Sequence, residues 1–145
     1  MVVALNLDPE ESREVFGDDD PNQHRAEVRR RWGTTEAYRE SERRTNNYSK
    51  EDWLLHRKES EAVNQLFIDA MSAGYAADSA PAKAAAEEHR RQIEKWFYVC
   101  SYDMHTGLGE MYVADPRFTQ HYEAIRRGLA RYVSDAIIAN ALDHM

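Results

Sequence analysis

Apolar residues recur at intervals of three and four along almost the whole chain, and alternating runs of β-branched residues are missing. This spacing matches the turn of an α-helix, so each segment has one apolar face. The pattern predicts an all-α, multi-helix domain without a sheet. We expect helices at 9–16, 21–32, 35–46, 50–73, 81–99, 102–114, 117–127 and 129–142.

The ends of these helices carry signals of their own. Aspartate precedes proline at residues 8–9, 20–21 and 115–116, and such a pair places a capping carboxylate before the favoured first helical residue. Ser49 followed by Asp52 predicts a capping-box start. Glycines that can take the left-handed conformation follow the helical patterns at Gly17, Gly33, Gly74 and Gly128.

The length of 145 residues predicts one domain, residues 1–145, with two unequal parts. Residues 1–48 are rich in Glu, Asp and Arg, and Trp32 is one of their few large apolar anchors. Such a segment buries little apolar surface, so we expect it to be mobile without ligand. Residues 49–145 carry dense apolar stripes and should form a stable helical core. One stripe of that predicted core contains Val63, Leu66, Phe67 and Ala70.

Charge and composition exclude several classes of function. The net charge of −7 gives no overall positive field for a phosphate backbone, so we expect no direct nucleic-acid binding by this chain. No apolar run approaches the ~20 residues of a membrane span, and we expect a soluble, cytoplasmic protein without a membrane partner. The six histidines form no H-x-x-x-H or E-x-x-H pair, so neither a metal nor a cofactor is expected.

Cys100 is the single cysteine, which excludes an internal disulfide. If the predicted helix continues to Val99, then His89, Trp96 and Cys100 share one face. Lys95 and His105 are near in sequence and would favour a thiolate if they were also near in space. The aromatic density around this face is typical of a pocket for a large, flat ligand, and a thiol there permits addition to an electrophile. Its aromatic members are Trp96, Phe97, Tyr98, Tyr102 and Tyr112.

A plainer interpretation of the same residues stays open on pattern alone. Free cysteine is among the most buried residue types, so Cys100 also fits an inert core position. Aromatic stripes at helical spacing usually belong to the core. His89 and His56 lie on apolar faces, where a histidine is more often a hydrogen-bonded structural residue than a base or a ligand contact.

Several stretches together resemble the TipA antibiotic-recognition (TipAS) domain family. WFYVCSYDMHTGLGEMYVADPRF, at residues 96–118, resembles the signature of that family. RRRWGTTEAYRESERRTNNYSKEDW at residues 29–53 resembles its R-W-G-x-T-x-A-Y and Y-[TS]-K-E-D-W pattern. EHRRQIEKWFY at 88–98 and GLARYVSDAIIANA at 128–141 match as well, so the resemblance spans nearly the whole chain in order.

The resemblance implies a globin-like, all-helical domain that binds thiopeptide-like antibiotics or other large hydrophobic natural products. In that family the domain is usually the C-terminal effector of MerR-like transcription activators involved in antibiotic resistance. The prototype closes its N-terminal part over the drug, and a cysteine adds to a dehydroalanine. Cys100 matches that cysteine and is the candidate for covalent capture. We therefore expect ligand contacts from Cys100, Trp96, Phe97, Tyr98, Tyr102, His89, His105, Tyr112, Trp53 and Trp32.

The chain starts at Met1 without a winged-helix half, so we expect an isolated effector domain or a stand-alone binder, with a DNA-binding half upstream in a full regulator. Sensing or sequestration without enzymatic activity is the expected function. The main rival is a cysteine-dependent enzyme with Cys100 as nucleophile and His89 or His105 as base. Other rivals are a globin-like haem protein with one of these histidines as axial ligand, and a structural helical adaptor.

Overall fold

A computed structural model of the chain describes residues 35–145. These residues form α-helices and no strand, which confirms the all-α prediction. None of the helices in this range has the length and apolar content to cross a membrane. The helices are α1 (Glu36–Thr45), α2 (Lys50–Ser72), α3 (Ala80–Trp96), α4 (Tyr102–Ala114), α5 (Pro116–Ile125) and α6 (Leu129–Asp143). The helices predicted at 9–16 and 21–32, and their end signals, lie outside the described residues.

Local capping signals set several helix ends as predicted. The Ser49 amide donates to Asp52 Oδ2 at 2.9 Å, and the Asp52 amide donates to Ser49 Oγ at 3.3 Å. This reciprocal pair is a capping box at the start of α2. Asp115 caps α5 from the position before its first-turn proline. Gly74 and Gly128 take the left-handed conformation, with φ of 82° and 87°.

The predicted helix at 81–99 is too long, because α3 ends at Trp96. The Ile93 carbonyl accepts hydrogen bonds from the amides of Phe97 (2.9 Å) and Tyr98 (3.3 Å), and the chain then leaves the helical path. Phe97 and Tyr98 are buried although they are not helical. They therefore extended the apolar pattern of the sequence beyond the true end of the helix. Cys100 consequently lies in the link between α3 and α4, and the prediction that it shares a helical face with His89 and Trp96 is wrong.

Contacts along the chain divide it into two compact units. The described residues of the first unit are 35–60 and 92–99, which include α1, the start of α2 and the end of α3. The second unit comprises 61–91 and 100–145, which include the remainder of α2 and α3 together with α4, α5 and α6. The apolar interior of each unit is described below by itself.

In the second unit, α4 packs closely against α6 at a glycine. A Cβ atom built on Gly109 would lie 3.3 Å from the Cγ2 atom of Ile137, which is fully buried. The missing side chain therefore lets the two helices approach each other. Leu129 and Val133 extend the same buried face of α6.

Leu66 was predicted in the core, but 44 % of its surface is exposed. It lines an open groove of about 580 Å³ in the second unit, together with Pro81 and Ala84. The stripe of α2 that is buried consists of Val63, Phe67 and Ala70. Leu66 therefore faces this open groove and does not belong to the buried core.

Candidate functional site

The first unit contains a cluster of five rings, which we call the ring cluster. Trp53 and His56 lie one turn apart on α2, and their ring centroids are 5.6 Å apart. His56 also lies edge-on to Trp96 at 5.4 Å and to Phe97 at 5.1 Å. Tyr48 completes the cluster by edge contacts at 5.4 Å to both tryptophans. The largely perpendicular arrangement is a favoured geometry for aromatic contacts.

Polar contacts hold the segments that carry these rings. The Tyr48 hydroxyl donates to the Trp96 carbonyl, at the last residue of α3. Two residues earlier in α3, the carbonyl of Glu94 accepts a hydrogen bond from Arg44 Nη1 at 2.6 Å. Lys95 Nζ lies 2.7 Å from a carboxylate oxygen of Glu59 on α2. The ammonium that the sequence offered as a partner for the thiol is therefore engaged by this carboxylate.

Nδ1 of His56 and Nε1 of Trp96, both inside the ring cluster, are buried and have no hydrogen-bond partner among residues 35–145. Burial lowers the pKa of His56 to about 4, so its imidazole is neutral at neutral pH. The sequence favoured a hydrogen-bonded structural role for His56, and its Nδ1 has no such bond to any of residues 35–145. Tyr48 was not predicted as a site residue. Its position just before α2, the helix that carries Trp53, was the signal in the sequence that could have indicated it.

Cys100 belongs to the second unit, and its side chain is completely buried. Arg90 Nη1 donates to its backbone carbonyl at 2.9 Å, and its Sγ lies 3.7 Å from the Ser101 carbonyl oxygen. This environment resembles that of a core cysteine. The sulfur is therefore closed to a large electrophile in this arrangement of the chain.

The second unit also contains a buried pair of imidazoles. His89 Nδ1 and His105 Nε2 are 2.8 Å apart, and the rings are stacked with centroids 5.1 Å apart. Burial is the main cause that lowers the pKa of His89 to about 4 and that of His105 to about 3. Both rings are therefore neutral at pH 7, and one nitrogen of the pair donates to the other. Tyr112 lies edge-on to His89 at 6.0 Å.

This hydrogen bond bears on the haem alternative. It occupies His89 Nδ1 and His105 Nε2, so neither of these two nitrogens is available to an iron. No group of three or more metal-ligating side chains is present in the part of the chain that the structure describes. The geometry thus disfavours an axial-ligand role for this pair.

Tyr102 is built into an ionic network around Glu87. The Glu87 carboxylate accepts hydrogen bonds from Arg90 Nη2 at 2.7 Å, from the Tyr102 hydroxyl at 3.3 Å and from Asn140 Nδ2 at 3.0 Å. These bonds lower the pKa of Glu87 to about 2, and the bond from Arg90 makes the largest contribution. The Arg90 guanidinium also lies 4.4 Å from the centre of the Tyr102 ring, and this ring stacks on His144. The network connects α3, α4 and α6.

The predicted contact residues thus occupy several separate surroundings. Trp53, Trp96 and Phe97 meet in the ring cluster, and Tyr98 in the same unit is buried. His89, His105 and Tyr112 meet in the second unit, while Cys100 and Tyr102 both contact Arg90 there. Trp32 lies outside the described residues.

Comparison with known proteins identifies the class of domain to which the chain belongs. Residues 24–140 match the TipAS antibiotic-recognition domain. The chain is 51 % identical over 142 residues to the HTH-type transcriptional activator TipA of Streptomyces coelicolor, covering 98 % of this chain and 56 % of that protein. It is 34 % identical over 139 residues to the HTH-type transcriptional activator mta of Bacillus subtilis, covering 95 % and 50 %. The chain spans about half the length of these curated relatives, which are transcriptional regulators.

Solved structures agree with this class. The chain matches TipAS of Streptomyces lividans in complex with nosiheptide, a thiopeptide antibiotic, with a TM-score of 0.91 and 51 % identity over 98 % of this chain and 99 % of that one. The antibiotic-binding domain of a TipA-class multidrug resistance transcriptional regulator matches with a TM-score of 0.58 and 48 % identity over 62 % of this chain and 96 % of that one. This protein belongs to the TipAS antibiotic-recognition domain family.

Proposed function

We propose that this chain binds a thiopeptide-like antibiotic. It acts either as the ligand-sensing domain of a transcription regulator or as a stand-alone binder that sequesters the drug. The observation that carries the proposal is the match to nosiheptide-bound TipAS, at 51 % identity over nearly the full length of both chains. The net charge of −7 supports a division of labour in which a separate DNA-binding half makes the contacts to DNA.

The ring cluster is the binding surface that we propose within the first unit. Trp53, Trp96 and Phe97 are rigid aromatic rings, which suit the flat rings and apolar groups of a large natural product. Because all three are buried, binding requires the residues that cover them to move. Because burial keeps His56 neutral at pH 7, the cluster carries no charge of its own that a ligand would have to desolvate. Tyr48 fixes the position of Trp96 through the carbonyl that it binds.

Covalent capture by Cys100 is a separate part of the proposal. The thiolate sulfur would form a bond to the β-carbon of a dehydroalanine, the carbon–carbon π bond would break, and the α-carbon would take up a proton. Because Cys100 is fully buried, this step requires the residues that cover the thiol to move first. Capture of this kind consumes the site in one event, which agrees with a sensor that does not turn over a substrate.

A calorimetric titration of the purified chain with nosiheptide, together with a thermal-shift assay, tests the proposed function. We expect saturable binding of one drug molecule per chain and a rise in Tm that grows with drug concentration, because ligand that binds only the folded state stabilises it. The absence of both binding and a Tm shift, for nosiheptide and for other thiopeptides, would contradict the proposal.

A further inference from the structure

His56 Nδ1 and Trp96 Nε1, which lack a partner among residues 35–145, require an explanation, since buried polar groups in folded proteins nearly always have a hydrogen-bond partner. Trp96 is only 6 % exposed, and its Nε1–H is a donor that cannot accept. His56 lies against it, with ring centroids 5.4 Å apart and an angle of 80° between the planes. An isolated buried donor costs free energy, and a site that holds one gains when an acceptor arrives.

The two nitrogens differ in what they offer. A neutral imidazole has one N–H group and one bare nitrogen, and orphaned buried N–H groups are rarer in proteins than unpaired acceptors. His56 therefore favours the tautomer in which Nδ1 is the bare acceptor. The ring cluster then holds a donor, from Trp96, and an acceptor, from His56, both buried among apolar rings, so a ligand reaches them only when the side chains that cover them move.

We infer that Trp96 Nε1 and His56 Nδ1 recognise a peptide-like edge of the ligand, which places a hydrogen-bond acceptor next to an N–H donor. The acceptor is an amide carbonyl or an azole nitrogen, and it binds the Trp96 indole. The donor is an amide N–H, and it binds the imidazole. This inference rests on the proposed function and restricts it, because a purely hydrocarbon ligand of the same size would leave both nitrogens unsatisfied.

The test compares variants that keep the shape of each ring but change its nitrogen. Trp96 is replaced by 3-benzothienylalanine through site-specific suppression, which substitutes sulfur for the N–H group. His56→Phe removes the acceptor, whereas His56→Asn keeps a polar atom at the position of Nδ1. His121→Phe, on an exposed histidine of α5, is the matched control for the loss of an imidazole.

Nosiheptide affinity and the Tm of the ligand-free protein are measured for each variant. We expect the benzothienyl variant and His56→Phe each to weaken binding by about tenfold, while their free Tm stays the same or rises, because no internal hydrogen bond is lost. His56→Asn should recover most of the affinity, and His121→Phe should bind like the wild type. A residue with only a structural role would lower the free Tm instead.

A spectroscopic measurement gives a second readout that does not depend on affinity. The three tryptophans give three indole N–H signals in a ¹H–¹⁵N spectrum, and Trp96→Phe identifies the signal of Trp96. We expect this signal to move downfield and to exchange more slowly with solvent when nosiheptide is bound. Wild-type binding with an unchanged Trp96 signal, or with equal affinity in all variants, would overturn the inference and leave the proposed function standing. Failure of the wild type to bind would overturn both.

Discussion

His89 Nδ1 and His105 Nε2 share a hydrogen bond of 2.8 Å between two buried imidazoles, one on α3 and one on α4. The bond requires that at least one ring stay neutral, because two imidazolium groups at this distance would repel each other and neither would accept. The pair therefore makes the packing of α3 against α4 sensitive to acid.

The first prediction is that the free energy of unfolding decreases as pH falls below about 6.5. Both histidines have folded-state pKa values below the unfolded value of 6.5, at about 4 and about 3, so the unfolded chain binds more protons in this range. The loss for each histidine between pH 7 and pH 5 should be on the order of 2 kcal/mol. Urea denaturation at a series of pH values measures it.

His105→Gln provides the comparison for this prediction, because an amide can still bond to His89 but does not titrate. Its stability should be less dependent on pH than that of the wild type between pH 7 and pH 5. Identical slopes for the two proteins would show that the pair does not titrate as the geometry implies.

The second prediction contrasts two glycines of α4. Gly107→Ala should raise the free energy of unfolding by about 0.5–1 kcal/mol, because the new Cβ meets no atom within 4 Å and alanine favours the helix. Gly109→Ala should lower it by about 1–2 kcal/mol, because its Cβ would press on Ile137 at 3.3 Å. Chemical denaturation of both variants measures the two changes in the free energy of unfolding. Stabilisation by Gly109→Ala would mean that Ile137 on α6 moves aside at little cost.

The third prediction concerns Glu87. Glu87→Gln should destabilise the protein by about 1–3 kcal/mol, because it weakens the charge-assisted bond to Arg90 and leaves the network around Tyr102 incomplete. Glu88→Gln is the matched control on the same helix. Its side chain is 54 % exposed and its ion pair to Arg91 is long, at 3.7 Å, so the change should stay within about 0.5 kcal/mol. Equal effects in thermal melts would contradict the role assigned to Glu87.

The fourth prediction addresses the accessibility of Cys100. Because the thiol is fully buried, a disulfide reagent such as DTNB should react with it far more slowly in native protein than in denaturant. A thiopeptide with an accessible dehydroalanine should add the mass of one drug molecule, and Cys100→Ala should abolish the adduct but keep reversible binding and stabilisation. Stabilisation of the wild type without any adduct would assign Cys100 to the core.

Local signals explain which parts of the fold were predictable. The bounds of α4 were predicted at 102–114 and observed at Tyr102–Ala114, because the Ser101 cap and the Asp115 boundary both lie in the adjacent sequence. The end of α3 was missed because no glycine or proline marks it. It depends on two amides that share the Ile93 carbonyl while Phe97 is drawn into the interior.

The candidate site was only partly predictable for a related reason. Aromatic density indicated Trp96 and Phe97, since neighbouring ring residues are visible in one sequence, and the family resemblance added Trp53. Whether a buried nitrogen has a partner depends on neighbours that are distant along the chain, as with His56 and Trp96. Likewise, the pairing of His89 with His105 depends on how α3 packs on α4.

The Glu87 network also has an evolutionary consequence. One carboxylate satisfies donors from α3, α4 and α6, so replacing Glu87 would leave Arg90, Tyr102 and Asn140 with unmet hydrogen bonds at the same time. Single replacements at these four positions should therefore be selected against more strongly than combined ones. In an alignment of homologous domains, the four positions are expected to covary, either retained together or exchanged together for a differently bonded set.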